Sequence, residues 1–66
     1  MKLRINGKDV AINAKKTLGE ILSERGLDPE RVVVEHNLKI VPKEEWHKTT
    51  LDDNDTVEIV SFVGGG

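Results

Sequence analysis

Residues 1–13 read MKLRINGKDVAIN, and the dipeptide Asn6-Gly7 at their middle decides how the rest of the chain is organised. Asn-Gly between alternating apolar and polar residues is the strongest short-range hairpin signal, because a two-residue type I′ turn needs positive φ at both central positions. With Asn6 and Gly7 at the turn centre, Ile5 faces Lys8, Leu3 faces Val10 and Met1 faces Ile12. The apolar side chains of both strands then share one face, so turn chemistry and hydrophobic pattern specify the same register. Such a hairpin needs a cover for that face.

The cover comes next, in TLGEILSERGLDPE. Thr17 followed three residues later by Glu20 forms a capping box, and Leu18, Ile21 and Leu22 fall on one helical face. Gly26 supplies a left-handed residue to end the helix, Leu27 is placed for the hydrophobic contact beyond it, and Pro29 blocks continuation. A helix over residues 17–25 is expected, too short to persist alone and stable only when its apolar face lies on a sheet.

Further out, RVVVEHNLKIVP reads as a strand, a turn near His36 to Lys39 and a short strand ending at Pro42. Three consecutive valines at 32, 33 and 34 leave the inward face of the first strand open. KEEWHKTTL is too short for a regular helix and reads as one or two irregular turns, with Trp46 covering one end of the core. Asp52-Asp53-Asn54-Asp55 is a turn cluster, and TVEIVSFV after it is the closing strand. Val57 and Ile59 fall on one face of that strand with Ser61, and Glu58, Val60 and Phe62 on the other. The order strand, strand, helix, strand, short strand, strand gives an α+β domain, a mixed sheet with one main helix packed on one face. Its extent is 1–63, followed by a flexible glycine tail at 64–66.

Sixty-six residues allow one core and no deep cavity. Charged residues make up 33% of the chain, but their signs nearly cancel at a formal net charge of −2, so no basic footprint marks a nucleic-acid or membrane partner. The absence of cysteine removes disulfides, thiolate metal sites and thiol nucleophiles from consideration. A cytoplasmic location is expected, since the opening residues are too polar for a signal peptide.

No constellation of catalytic residues emerges. His36 and His47 lie in separate turns and read as solvated surface histidines rather than metal ligands. Glu44 and Glu45 adjoin in a charged turn with no cleft to separate their acidities. The acidic run 52–55 lacks the spacing of a calcium loop and reads as a plain turn. What remains is the ending, Gly64, Gly65 and Gly66. Glycine has no side chain and the greatest backbone freedom, so this segment adds nothing to folding. A tail without Cβ atoms can be threaded through a narrow channel, presenting the Gly66 carboxylate to an active site on another protein. The glycines alone read equally as a linker remnant. Their position after Val60 and Phe62 favours function, because an apolar pair on the sheet face away from the helix marks a docking surface unless the segment around Trp46 covers one of them.

Together these residues resemble the ThiS-type sulfur carrier proteins of thiamine biosynthesis, within the ubiquitin-like β-grasp family. The resemblance spans essentially the whole chain and is carried by MKLRINGKDV, TLGEIL, VVVEHNLKIVPKEEW and DDNDTVEIVSFVGGG. It implies a β-grasp fold with the first and last strands adjacent and parallel at the sheet centre. It also implies that Gly66 is adenylated by an E1-like adenylyltransferase using ATP and converted to a thiocarboxylate with sulfur from a cysteine-derived persulfide. The sulfur would then go to thiazole synthase. The implied partners are the adenylyltransferase, the synthase and a sulfur donor, either a cysteine desulfurase or a sulfurtransferase. The resemblance also implies that the chain itself binds no cofactor and serves as co-substrate rather than enzyme. Where many relatives have Asn-Gly in the second hairpin turn, this chain has Asn37-Leu38, and leucine tolerates positive φ poorly. Three alternatives stay open: a carrier of the molybdopterin synthase small-subunit type, a ubiquitin-like protein modifier, and a non-enzymatic β-grasp interaction module.

Overall fold

The computed structural model describes residues 1–62. Its opening is the expected hairpin: strand β1 (Lys2–Ile5) pairs antiparallel with β2 (Lys8–Ala11), with Leu3 opposite Val10 and Ile5 opposite Lys8. Asn6 and Gly7 sit at φ 52° and 80°, the left-handed pair a type I′ turn requires. Asn6 does more than turn the chain, because its Oδ1 accepts a hydrogen bond from Ile59 N–H at 2.7 Å. That bond extends the pairing of β1 beyond its last residue.

Helix α1 (Leu18–Glu24) carries the capping box in full: Thr17 Oγ1 accepts from Glu20 N–H, and the Glu20 carboxylate accepts from Thr17 N–H at 2.9 Å. At the other end Gly26 takes φ 68° while Gly26 N–H bonds Ser23 C=O and Leu27 N–H bonds Leu22 C=O. This is a Schellman closure, and it brings Leu27 against the core. A 3₁₀ turn at Pro29–Arg31 leads into β3 (Val32–His36), which pairs antiparallel with the two-residue β4 (Lys39–Ile40). Asn37 and Leu38 between them both hold positive φ, 50° and 73°, so the turn keeps the left-handed geometry despite the leucine.

Residues 43–51 depart from the irregular turns expected of them. Lys43–Lys48 form a regular 3₁₀ helix packed beside α1, and Trp46 is buried with its Nε1–H donating to Val41 C=O at 2.9 Å. Gly19 lets the two helices meet closely, since a Cβ there would lie 3.4 Å from the His47 backbone. Thr50 then bridges to Thr17, and Leu51, fully buried, bonds through its N–H to Lys16 C=O.

The closing strand β5 (Thr56–Ser61) inserts between β1 and β3, giving the order β2-β1-β5-β3-β4. It runs parallel to β1 and antiparallel to β3. The α+β β-grasp arrangement follows: one mixed sheet, with α1 and the 3₁₀ helix on one face. Between the layers lie Leu3, Ile5, Leu18, Ile21, Leu22, Val32, Val34, Trp46, Leu51 and Val57. The register with β5 settles the valine run, because Val34 stands opposite Ile59 and faces the core whereas Val33 stands opposite Val60 and faces out. No helix among the described residues is long and apolar enough to cross a membrane.

Candidate functional site

Alternation along β5 sets the site. Val57 is fully buried and Ile59 packs against the core, so Glu58 and Val60 project from the opposite, uncovered face of the sheet. Val60 is 60% exposed and Phe62, just past the strand end, 48%. Trp46 belongs to the helix side, and both residues of the expected docking pair remain open to solvent. Phe62 is held in line by its N–H bonding Arg31 C=O at 2.9 Å, which continues the pairing with the start of β3. Beside the pair lies Val33, directly across from Val60, and further along the same face Ile40 stands across from Glu35.

Val33, Glu35 and Ile40 are members of this face that the sequence does not single out. Their signal is hidden because three valines in a row show no alternation, and only the pairing with β5 assigns their sides. The remaining expected site residues, Gly64, Gly65 and Gly66, lie outside the described residues.

The histidines part company. His47 is exposed, but His36 is not the solvated side chain its turn-like context suggests. It is only 20% exposed and donates from Nε2 to Asp55 Oδ2 at 2.7 Å. Asp55 also accepts from Asp52 N–H at 2.8 Å and Asn37 Nδ2 at 3.1 Å, while Asn37 Oδ1 accepts from Thr56 N–H. Burial by itself would raise the Asp55 carboxyl; the hydrogen bonds from Asp52, His36 and Asn37 outweigh it and hold the group below the usual carboxylate value. This cluster locks the β3–β4 turn onto the entrance of β5, and its polar groups are occupied with one another. Among the described residues no group of three or more His, Cys, Asp or Glu is placed to hold a metal ion. The open groove between β2 and α1, lined by Ile5, Val10, Ile12, Lys16, Ile21 and Glu24, brings together no nucleophile and base.

The geometry therefore offers an exposed apolar face on the strand that leads toward a glycine-rich sequence, and among the described residues no catalytic set stands beside it. A family model described as the ThiS family matches residues 3–66. The chain belongs to the ThiS family. It is 43% identical over 65 residues to the sulfur carrier protein ThiS of Bacillus subtilis, covering 97% of this chain and 98% of that protein. It is 46% identical over 66 residues to a thiazole synthase of Paramagnetospirillum magneticum, where it covers 100% of this chain but 20% of the longer protein. The crystal structure of a thiamine biosynthesis protein (ThiS) from Geobacter metallireducens superimposes with a TM-score of 0.85 at 35% identity, covering 100% of both chains. Sulfur carriage in thiamine biosynthesis, the function class that the ThiS resemblance implied, is the one these ThiS relatives carry.

Proposed function

We propose that this ThiS-family chain carries sulfur as a thiocarboxylate on Gly66 and hands it to a thiazole synthase. The observation that carries the reading is the course of β5: a central strand that exposes Val60 and Phe62 on the uncovered face and continues in sequence to Gly64-Gly65-Gly66. In sequence the exposed pair stands directly before the tail, with Val63 alone between Phe62 and Gly64. Glycines without Cβ atoms suit a narrow channel, but ordering them costs about 1–2 kcal/mol per residue. Contacts made by Val60 and Phe62 offset that cost, and Glu58 beside them helps set orientation.

The chemistry belongs to the partners. In the first, an E1-like adenylyltransferase, a Gly66 carboxylate oxygen attacks the α-phosphorus of ATP and expels pyrophosphate, leaving an acyl adenylate. The terminal sulfur of a persulfide, supplied by a cysteine desulfurase or a sulfurtransferase, attacks the acyl carbon and expels AMP. A second thiol then forms a disulfide with the donor cysteine, releasing the C-terminal thiocarboxylate. The chain is a co-substrate in this sequence, ATP is bound by its partner, and the cytoplasm holds the required reductants. The thiazole synthase match, in which a segment similar to this whole chain lies within a longer synthase, supports that enzyme as recipient.

ATP–pyrophosphate exchange by the adenylyltransferase of the same genome tests the activation step. Exchange should depend on the full chain and vanish when Gly66 is deleted, while Phe62→Ala should raise the KM for the chain. Exchange undiminished by deletion of Gly66 would overturn the reading.

A further inference from the structure

Strands β3 and β5 place Glu35 directly opposite Glu58. Opposed residues of an antiparallel pair point to the same side, here the uncovered face, since neighbouring Val34 and Val57 are buried in the core. Their Cβ atoms are then about 4.5–5.5 Å apart, a spacing at which like charges oppose strand pairing. Several other acidic groups in this domain have met a cation: Asp9 lies against Arg4, Glu24 against Lys16 and Asp52 against Lys15. Neither Glu35 nor Glu58 has one within ion-pair distance among the described residues. Apolar surface borders the pair on one side, with exposed Ile40 across from Glu35 and the Val33–Val60 pair one row away; on the other side stand Thr56 and Arg4, whose guanidinium lies against Asp9.

Two uncompensated carboxylates at the border of an apolar patch weaken the free domain and match a cation brought by something that covers the patch. A guanidinium fits best, being planar, able to bridge two carboxylates and more weakly hydrated than an ammonium group. We propose that Glu35 and Glu58 form the seat for an arginine of the thiazole synthase, inserted as that enzyme docks over Val33, Val60 and Phe62. This rests on the docking reading above and adds the chemistry by which the partner is recognised. Covering the pair removes water from it, so the cation both relieves the repulsion and orients the docked domain.

The test is titration calorimetry of the full chain against the thiazole synthase of the same genome at two salt concentrations, with urea unfolding of each variant alongside. The double variant Glu35→Gln and Glu58→Gln should bind at least about tenfold more weakly, with a flatter salt dependence and a urea midpoint equal to or above that of the unaltered chain. Glu58→Lys, which pairs with Glu35 inside the domain, should raise the midpoint further and also lose binding. Unchanged affinity of the double variant, with Phe62→Ala still weakening binding, would overturn the seat and leave the docking face standing. Unchanged affinity in both would overturn the face and the seat together. Weakened binding accompanied by a lower urea midpoint would make the glutamates structural and overturn the proposal, and so would failure of the unaltered chain to bind the synthase.

Discussion

Leu38 holds φ 73° at the second centre of the β3–β4 turn and is 84% exposed, so it occupies a glycine conformation without gaining burial. The left-handed region costs a side-chain-bearing residue roughly 1–2 kcal/mol, part of which glycine returns as unfolded-state entropy. Leu38→Gly should therefore stabilise the domain by about 1 kcal/mol in urea unfolding, and a loss of stability would mean that the leucine makes a contact of its own. At the foot of the same turn, Asp55 is held below its ordinary value by its hydrogen bonds, so its contribution is complete above about pH 4, where the unfolded carboxyl is ionised. As pH falls through that value toward the lower folded one, the contribution is lost. Thermal melts should thus show stability falling on acidification below about pH 4, with a shallower fall in Asp55→Asn. The turn at Asn37-Leu38 was legible as a turn but its left-handed geometry was not, since leucine tolerates positive φ poorly; of the partners of Asp55 only Asp52 is local, while His36 and Asn37 lie at the far end of β3.

Among the elements, those specified by local chemistry were readable and those specified by pairing were not. The first hairpin has its register fixed by Asn6-Gly7 and by alternation, and α1 has its ends fixed by Thr17, Glu20 and Gly26; both stand where their residues place them. Thr17→Ala removes the acceptor for Glu20 N–H and should cost about 1 kcal/mol in a denaturant titration, with Thr17→Ser retaining most of the stability. By contrast, Val32, Val33 and Val34 carry no parity of their own, and the parallel adjacency of β1 and β5 came from family resemblance rather than pattern. The 3₁₀ helix at Lys43–Lys48 was missed because six residues are too few to show a helical period. What holds it is tertiary: the Trp46 bond to Val41, the close approach of Gly19 and the bridge from Thr50 to Thr17.

At the scale of the whole molecule, strand order links the fold to its use. β5 is central, bonded to β1 at Thr56 and Val57 and to β3 from Val57 to Ser61, so the segment that bears Val60 and leads to Phe62 is held by its pairing with β3. One face of that strand builds the core with Val57, and the other is open to solvent. A rigid platform joined to side-chain-free glycines suits a substrate that must present one carboxylate to successive enzymes. The role proposed for Gly66 rests on the resemblance to ThiS-type carriers and on a run of glycines having no side chain to react; that residue lies outside the described ones. The most direct test is the intact mass of the chain before and after incubation with its adenylating enzyme, ATP and a persulfide donor, beside a form lacking Gly66. Exchange of one oxygen for one sulfur at Gly66, absent from the shortened form, is the result predicted. An unchanged mass in the presence of a demonstrably active enzyme and donor would contradict sulfur carriage on this tail.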